Sequence, residues 1–277
     1  MSLPPVNCER VVDYITRRLN WYILDFARKK AGIIGVSGGV DSAVTAFLTV
    51  RALGPERVYC YILPSDATPN EDIEDALEVI ERLRLPKEHW EIISIEKITK
   101  SFEEALGNLT KIERGNMMAR IRMIILHQRA YRHNGLVVGT GDKSELLIGY
   151  YTKYGDGGVD ILPIGGLYKT HVRQIASYLG VPERIVKKPS SPRLWPGQTA
   201  EGELGVGYDI IDPILYYRFE EWLPEKEIAR KIGISENIVR SILDRVKRTQ
   251  HKRLPPEVFH IGYRDLGSDW RYPRQWV

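Results

Sequence analysis

Residues 35–43 read Gly-Val-Ser-Gly-Gly-Val-Asp-Ser-Ala and lie between a short apolar run and a helical pattern. This order predicts a strand, a tight glycine turn and the start of a helix. Such a turn lets backbone amides approach a ligand closely, and the unpaired amides of the first helical turn attract a phosphate. Ser37 and Ser42 add hydroxyl donors, and Asp41 adds a carboxylate that can hold a divalent cation. The stretch therefore predicts a phosphate-binding loop.

The sequence of this loop narrows the class of chemistry. It lacks the Gly-Lys-Ser/Thr of a Walker A loop and the G-x-G-x-x-G of a Rossmann dinucleotide site. Its Ser-Gly-Gly-x-Asp-Ser pattern at 37–42 resembles the loop of the N-type ATP pyrophosphatases. That resemblance implies cleavage of ATP between the α and β phosphates and adenylation of a substrate. The loop alone leaves the substrate open.

Composition indicates an ordinary globular protein. Of the 277 residues, 40 are basic and 36 are acidic, so the net charge of +4 suits an anionic small molecule as well as nucleic acid. Hydrophobic residues make up 43% of the chain, which disfavours wholesale disorder. Cys8 and Cys60 show no metal spacing, and Cys60 is expected to be a buried thiol. Neither a signal pattern nor an apolar stretch of membrane length is found, so a cytoplasmic protein is expected.

Strand patterns alternate with helical patterns along most of the chain. The predicted strands cover 32–37, 58–63, 91–95, 136–139 and 161–164. The predicted helices cover 8–30, 41–53, 71–84 (capped by Asn70), 97–106, 116–133, 169–179, 216–222, 224–231 and 235–248. This alternation predicts an α/β fold: a doubly wound, mostly parallel five-stranded sheet with flanking helices and further C-terminal helices.

The same pattern predicts how the chain is organised. We expect a single domain over 1–277, with an ATP pyrophosphatase core over about 30–180 and C-terminal helices over 216–250. Between them, a lid loop over about 188–207 is rich in Pro, Gly and Ser. A long loop of this kind in a compact domain is usually functional or disordered.

A second polar, glycine-rich segment runs from Gly139 to Gly158, directly after a predicted strand. Ligands of open α/β folds bind at the carboxyl ends of the strands. Glu145 is therefore a candidate second carboxylate for a magnesium ion held by Asp41, because Mg²⁺ combines one or two carboxylates with phosphate oxygens and waters. The alternative is a solvated loop with incidental charges, which the density of polar, aromatic and glycine residues disfavours.

Several motifs taken together resemble the NAD⁺ synthetases. They are Gly-Thr-x-x-x-x-Glu at 139–145, Gly-Tyr-x-Thr-Lys-Tyr-Gly-Asp-Gly-Gly at 149–158, Ala-Arg-Ile-Arg-Met at 119–123, Lys-Thr at 169–170, the loop at 188–199 and His-Lys-Arg at 251–253. The resemblance implies the fold of the adenine nucleotide alpha hydrolases. It also implies ATP- and Mg²⁺-dependent amidation of deamido-NAD⁺ by ammonia through an adenylated carboxylate, with release of AMP and pyrophosphate, which is the last step of NAD⁺ biosynthesis.

The family pattern also implies roles for single residues of this chain. It assigns ATP to Gly35, Val36, Ser37, Gly38, Gly39, Val40, Asp41, Ser42, Thr140, Lys169 and Ser190. It assigns Mg²⁺ to Asp41 and Glu145, deamido-NAD⁺ to Arg120, Lys153, Asp160, His251 and Lys252, and catalytic roles to Asp41 and Lys169. A lysine at a helix start opposes the helix dipole, so a phosphate partner explains Lys169 better than a structural role.

Two of these assignments depend on the resemblance alone. Arg120 and Arg122 point to nearly opposite sides of one helix, so at most one of them serves a given site and the other is a surface charge. For His251, the chemistry of the residue fits a surface histidine as well as it fits a ligand contact.

The lid loop departs from the family pattern. Ala200 stands where the pattern has an aspartate that could serve loop closure or the deprotonation of ammonium, and Glu201 and Glu203 are both candidates to replace it. The loop is also one residue longer than the pattern, which leaves open whether Ser190 or Ser191 aligns with the ATP-binding position.

Two other functions fit part of the chain. Another N-type ATP pyrophosphatase, such as a GMP synthetase or a tRNA-modifying adenylase, fits the loop at 37–42 but lacks the segment at 151–158. A nucleic-acid-binding protein fits 225–248, which reads like a helix-turn-helix with Gly233 at the turn and Ser235 as the cap of the second helix. Helical hairpins with a glycine turn are common packing units, so neither a nucleic acid nor a membrane is expected as a partner.

The resemblance further predicts the nitrogen source and the assembly. Glutamine-dependent relatives carry an additional amidase domain for which 277 residues leave no room, so free ammonia is expected unless a separate glutaminase supplies it. The family also implies a homodimer, and the amphipathic helices at 8–30 and 116–133 are candidates for its interface.

Overall fold

The computed structural model describes residues 3–195, 197–259 and 261. Four strands form one parallel sheet, in the spatial order β3-β2-β1-β4. They are β1 (Ala31–Gly35), β2 (Val58–Ile62), β3 (Trp90–Ile92) and β4 (Gly135–Val137). The central strand β1 is buried from Ala31 to Ile34, as expected where helices cover both faces of a parallel sheet.

The helices of the described residues surround this sheet and extend beyond it. They are α1 (Cys8–Asn20), α2 (Val40–Leu53), α3 (Asn70–Arg82), α4 (Glu96–Leu106), α5 (Lys111–Arg132), α6 (Lys143–Ile148), α7 (Lys169–Leu179), α8 (Glu183–Lys187), α9 (Ala200–Leu204), α10 (Tyr208–Phe219), α11 (Glu225–Ile232), α12 (Glu236–Arg248) and α13 (Gln250–Arg253). A π-helical segment, Trp21–Phe26, continues α1. In this part of the chain no helix has both the length and the hydropathy of a membrane span.

Apolar side chains of the sheet alternate between two cores. Ile34 packs with α1, α2 and α7 on one face, whereas Ile33 packs with α5 on the other. A third core joins α6 to the C-terminal helices α10, α11 and α12. Cys60 of β2 is fully buried as expected, and burial raises the pKa of its thiol to about 12. The α/β prediction with a parallel sheet and flanking helices is confirmed.

Two local predictions are wrong. The fifth strand is absent from the described sheet, where Ile161 makes only an isolated parallel bridge to Val138. Pro163 lacks the amide that a continuing ladder needs. Asn70 does not cap α3, because Pro69 occupies the cap position and Asn70 is already the first helical residue.

Two helices begin earlier than predicted. α5 begins at Lys111 because Thr110 and Glu113 form a capping box, in which each accepts a hydrogen bond from the backbone amide of the other. α10 begins at Tyr208 and contains Pro213.

The order of the strands locates the ligand crevice. From β1 the chain passes to β2 on one side of the sheet, while β4 pairs with the other side of β1. A switch of this kind opens a crevice at the carboxyl ends of the strands. The loop after β1 and the segment after β4 therefore meet at this edge.

Candidate active site

The loop after β1 depends on a glycine and a serine for its shape. Gly38 has a φ of +78°, and a Cβ on it would lie 2.2 Å from the carbonyl oxygen of Asp72, so no other residue fits there. The Ser42 hydroxyl donates to the Gly39 carbonyl at 3.0 Å and accepts from the Ser37 amide at 3.1 Å. Ser42 therefore closes the turn, while Ser37 is exposed beside it. The first amides of α2 have no partner within the helix and suit an anion.

This loop forms one wall of a cavity of about 610 Å³ at the carboxyl ends of β1, β2 and β4. The predicted site residues that line the cavity are Gly35, Val36, Ser37, Gly39, Val40, Asp41, Ser42, Thr140, Glu145, Ser190 and Lys252. The predicted site residues outside the lining are Gly38, Arg120, Lys153, Asp160, Lys169 and His251. The structure thus brings together the residues assigned to ATP and Mg²⁺ more closely than those assigned to deamido-NAD⁺.

Lys169, the first residue of α7, is fully buried behind the cavity. Its Nζ lies 2.6 Å from Asp41 Oδ2, 2.9 Å from Glu145 Oε1 and 3.0 Å from Asp142 Oδ2. The ammonium therefore lies among carboxylates that come from α2, from α6 and from the cap of α6. Sequence reasoning paired Lys169 with a phosphate and did not identify Asp142 at all.

Burial and charge act in opposite directions on this cluster. Burial by itself would lower the pKa of Lys169, but the negative charges of Asp142, Asp41 and Glu145 raise that pKa well above its ordinary value. Burial raises the pKa of Asp142 to about 7 against the opposing effect of the Lys169 charge. Burial likewise raises the pKa of Glu145. One buried cation thus faces more negative charge than it neutralises.

The start of α6 holds Glu145 in place. Asp142 caps this helix, since its Oδ1 accepts from the Glu145 amide at 2.8 Å. Glu145 Oε2 in turn accepts from the Asp142 amide at 3.4 Å, which completes a capping box. The sequence Asp-x-x-Glu at 142–145 carries this signal, so the cap could have been predicted.

Asp41 and Glu145 fit a divalent cation that also binds phosphate. Asp41 Oδ1 is buried and has no hydrogen-bond partner among the described residues. Within that part of the chain, no group of three or more His, Cys, Asp or Glu side chains is arranged to hold a metal. Mg²⁺ typically takes one or two carboxylates and completes its shell with waters and substrate phosphates. These two carboxylates therefore suit Mg²⁺ when waters or substrate phosphates complete its shell.

The two serines of the lid loop differ in their contacts. The Ser191 hydroxyl donates to the Gln198 carbonyl at 2.5 Å and accepts from the Arg193 amide at 3.2 Å. Ser190 lines the cavity, and its buried hydroxyl makes no hydrogen bond to a described residue. Ser190 is therefore the better placed of the two for a ligand.

The same loop contains the two glutamates that are candidates to replace the aspartate of the family pattern. Ala200 begins α9 and is 2% exposed, with its methyl group in the cavity wall. Glu203 also lines the cavity, and it accepts a hydrogen bond from Gln198 Nε2 at 2.5 Å. Glu201 is exposed and does not line the cavity. Of the two glutamates, Glu203 is thus the one that faces the site.

The two arginines of α5 differ in their position relative to the cavity. Arg122 lines the cavity, and its Nε donates to the Leu63 carbonyl at 2.9 Å. Burial lowers the pKa of Arg122 to about 10. Arg120 is exposed outside the cavity and donates to the Lys153 carbonyl at 3.3 Å. One arginine of the pair, Arg122, lines the cavity and the other does not, as their spacing predicts, and the assignment of Arg120 to deamido-NAD⁺ stays a prediction.

Comparison with known proteins bears on this arrangement. The sequence profile of the NAD synthase family matches residues 9–256. The chain belongs to this family. The NH(3)-dependent NAD(+) synthetase of Saccharolobus solfataricus is 53% identical to it over 272 residues, which are 98% of this chain and 96% of that relative.

Solved structures show the same fold for this NAD synthase family member. The NMN synthetase of Francisella tularensis is 33% identical and covers 92% of this chain with all of its own, at a TM-score of 0.81. The NH3-dependent NAD synthetase of Campylobacter jejuni, solved with a nitrate ion, is 29% identical. It also covers 92% of this chain with all of its own, and its TM-score is 0.78.

The remaining residues that the family pattern assigns make internal contacts. Lys252 Nζ donates to the carbonyls of Gly149 and Tyr151 at 2.8 and 2.7 Å. Lys153 Nζ donates to the carbonyl of the exposed His251 at 2.8 Å. The exposed Asp160 accepts from the Val137 amide at 2.8 Å. Their assignment to deamido-NAD⁺ stays a prediction.

Sequence reasoning also missed the base of the lid loop. Lys188 lines the cavity and binds Asp72 of α3 at 2.7 Å, as well as the fully buried Asp75. Arg193 adds a contact of 2.9 Å to Asp72. No local pattern in the sequence pairs these residues, because more than a hundred positions separate the two groups.

The helical hairpin of α11 and α12 packs onto this family's fold. Ser235 caps α12 as predicted, and Gly233 ends α11 in the left-handed conformation. The apolar face of α12 is buried in the C-terminal core. Arg245 lines the cavity and donates to the Ile148 carbonyl at 3.0 Å, while Arg240 pairs with Glu225 and Glu236. These arginines are thus engaged within the protein.

Proposed function

We propose that this chain amidates deamido-NAD⁺ with ammonia at the expense of ATP, giving NAD⁺, AMP and pyrophosphate. The observation that carries the proposal is the meeting of Asp41 and Glu145 beside the loop at 35–42, in a member of the NAD synthase family. The reaction named for its relative from Saccharolobus solfataricus matches this chemistry.

The proposed chemistry follows from the inertness of a carboxylate. Direct attack of ammonia would have to expel oxide, which is a poor leaving group. The nicotinate carboxylate of deamido-NAD⁺ therefore attacks the α-phosphorus of ATP, forming a carboxyl–phosphate bond and releasing pyrophosphate. Ammonia then attacks the activated carbonyl carbon, the carbon–oxygen bond to phosphate breaks, and AMP leaves with that oxygen as ammonia loses a proton.

The residues of the loop and the cluster supply electrostatic stabilisation. Charge builds up on the α-phosphate and on the departing pyrophosphate, where preorganised donors have their largest effect. The amides at the start of α2 bind the departing phosphates, and Lys169 provides positive charge behind them. Asp41 and Glu145 would hold Mg²⁺, which when bound neutralises triphosphate charge. Thr140 and Ser190 line the cavity with hydroxyl groups for ATP.

Of the residues proposed for deamido-NAD⁺, Lys252 lines the cavity and the other four lie outside its lining. The Lys153 ammonium donates to the carbonyl of His251, the residue before Lys252. Arg120 is joined to Lys153 through the carbonyl of that lysine. Cationic side chains at these positions suit a dinucleotide with two phosphates, while Asp160 and His251 suit hydroxyl groups of its riboses.

We extend the proposal to a homodimer formed through α4 and α5. These helices expose Phe102, Leu106, Ile124 and Tyr131, of which Tyr131 is 92% exposed. The apolar face of α1, in contrast, is buried against the core, so the predicted helix at 8–30 contributes less. Exposed apolar patches often mark protein–protein interfaces. Light scattering should give a dimer for the wild type and a monomer for Ile124→Glu; a monomeric wild type would contradict the proposal.

The test of function is pyrophosphate release from ATP with a panel of acceptors. Deamido-NAD⁺ should sustain turnover, whereas nicotinic acid and xanthosine monophosphate should not. Asp41→Asn and Glu145→Gln should each abolish turnover with the fold intact, and unchanged rates would contradict the metal assignment. Ammonium should serve as nitrogen source and glutamine should not.

The panel also needs nicotinate mononucleotide. The Francisella tularensis relative with a TM-score of 0.81 is an NMN synthetase, so a mononucleotide acceptor is the second candidate. If nicotinate mononucleotide gives a higher kcat/KM than deamido-NAD⁺, the acceptor is the mononucleotide and the amidation chemistry stands unchanged.

A further inference from the structure

Lys169 occupies the position between the two carboxylates proposed for Mg²⁺. Its ammonium lies 2.6 Å from Asp41 and 2.9 Å from Glu145, and its side chain is fully buried. A divalent cation that binds both carboxylates draws on the same negative charges. The ammonium and the metal therefore compete for Asp41 and Glu145.

Asp142 gives this cluster a third carboxylate that the proposed reaction does not use. It is fully buried, and its two oxygens act separately. Oδ1 caps α6 by accepting from the Glu145 amide, whereas Oδ2 forms an ion pair with Lys169 at 3.0 Å. Oδ2 accepts no hydrogen bond from any described residue, so among those residues the ion pair with Lys169 is its only polar interaction.

We propose that Asp142 is a positioning residue that retains the Lys169 ammonium when a divalent cation takes its place between Asp41 and Glu145. Lys169 and the cation then alternate on the same two carboxylates. Before the cation arrives, Lys169 neutralises part of the charge of these two carboxylates. After it arrives, Asp142 keeps Lys169 within the site, where the ammonium remains available to the phosphates. This inference rests on the proposed metal assignment.

The charge of the cluster gives the direction of each effect. When all three carboxylates are ionised, they and the one ammonium leave two negative charges, which one divalent cation balances. Asp142→Asn removes one of these charges and also leaves Lys169 without its alternative partner, so both effects weaken cation binding. Lys169→Met removes the competitor and leaves a third negative charge, so it strengthens cation binding.

The two variants differ in how they affect the fold. An asparagine at position 142 still accepts a hydrogen bond from the Glu145 amide, so the cap of α6 is kept. Lys169→Met leaves buried carboxylates unpaired and is expected to lower the melting temperature in the absence of cation. Its melting temperature should then rise with Mn²⁺ by more than that of the wild type, which gives a second measurement for this variant.

The experiment counts bound Mn²⁺ from the electron paramagnetic resonance signal of free Mn²⁺. It is done with full-length protein alone and with α,β-methylene-ATP, whose α–β bond is not cleaved. Lys169→Met should bind Mn²⁺ alone about tenfold more tightly than the wild type, and Asp142→Asn should bind Mn²⁺ with the analogue about tenfold more weakly. Asp75→Asn is the matched control, because Asp75 is equally buried and pairs with Lys188 rather than Lys169.

The outcomes separate this inference from the function on which it rests. Loss of Mn²⁺ binding in Asp41→Asn supports the metal assignment, and its retention overturns both proposals. If Asp41→Asn loses Mn²⁺ but Asp142→Asn binds it like the Asp75→Asn control, Asp142 is only a helix cap and the inference is wrong. A second pair of results also contradicts the inference. Lys169→Met would then bind Mn²⁺ in the absence of nucleotide with the same affinity as the wild type, and Mn²⁺ would raise the melting temperatures of the two proteins equally.

Discussion

The Asp212 carboxylate accepts two hydrogen bonds from Thr170, one from its amide and one from its hydroxyl, each 2.7 Å long. Its other oxygen accepts from the Ser144 hydroxyl at 2.5 Å, and the Ser144 oxygen accepts from the Lys169 amide at 2.9 Å. Tyr168, which precedes α7, provides no side-chain cap. Asp212 of α10 therefore caps α7 in its place and fixes the backbone that carries Lys169.

Removal of this carboxylate should affect both stability and rate. Asp212→Ala leaves buried donors of Thr170 and Ser144 without an acceptor, so the free energy of unfolding should fall by about 2–4 kcal/mol. Asp212→Asn keeps an acceptor oxygen and should lose roughly half as much. Urea unfolding measures both, and kcat of the folded fraction should fall in the same order. Equal stability of the alanine variant and the wild type would contradict the capping role.

The two lid serines should respond differently to loss of their hydroxyls. Ser190 lines the cavity and its buried hydroxyl has no partner among the described residues, so Ser190→Ala should raise KM for ATP about fivefold, the effect of one hydrogen bond. Ser191→Ala removes a contact to Gln198 within the loop and should lower kcat more than it raises KM for ATP. Steady-state kinetics with ATP varied distinguishes the two. The opposite pattern would assign ATP to Ser191.

Arg122 should matter to an anionic substrate. Its guanidinium lines the cavity, and Leu63 accepts its only hydrogen bond within the described chain. The remaining donors suit phosphate, so Arg122→Gln should lower kcat/KM for ATP or for deamido-NAD⁺ by about tenfold or more. Arg120→Gln, on the outer side of α5, should leave the kinetics of ATP unchanged. Wild-type values for both substrates in Arg122→Gln would show that this arginine serves only packing.

The loop after β1 could be predicted because all of its determinants are adjacent in the sequence. An apolar strand, two glycines and a helix start fix the turn, and the turn places Asp41. The α/β class follows from the same local alternation. The sheet was overestimated by one strand because Ile161 reads as apolar and extended, whereas Pro163 ends the ladder.

Contacts between distant parts of the chain could not be predicted in this way. Lys169 lies next to Asp41 although 128 positions separate them, and nothing near either residue encodes the distance. The choice of Arg122 over Arg120 depends on the rotation of α5 against the sheet. The cap that Asp212 supplies to α7 likewise depends on how the C-terminal helices pack. Helix rotation and packing are set by the whole core rather than by local pattern.

Acid should destabilise the protein in part through His171. This residue is 7% exposed and hydrogen-bonded to the Pro4 carbonyl, and burial lowers its pKa from the ordinary value of 6.5. Below that pH the unfolded chain binds the proton and the folded chain does not, so stability is lost as the pH falls from 6.5 towards the lower folded pKa. His171→Gln should show a shallower loss over that range in thermal melts. An identical slope would contradict this role.

The central claim is that the acceptor carboxylate is activated by transfer to the α-phosphate. Deamido-NAD⁺ labelled with ¹⁸O in its nicotinate carboxylate tests it directly, when turned over with Mg·ATP and ammonium and followed by mass spectrometry of the AMP formed. The mechanism predicts that each AMP carries one ¹⁸O atom and that the pyrophosphate carries none. Unlabelled AMP, or label in the pyrophosphate, would contradict it.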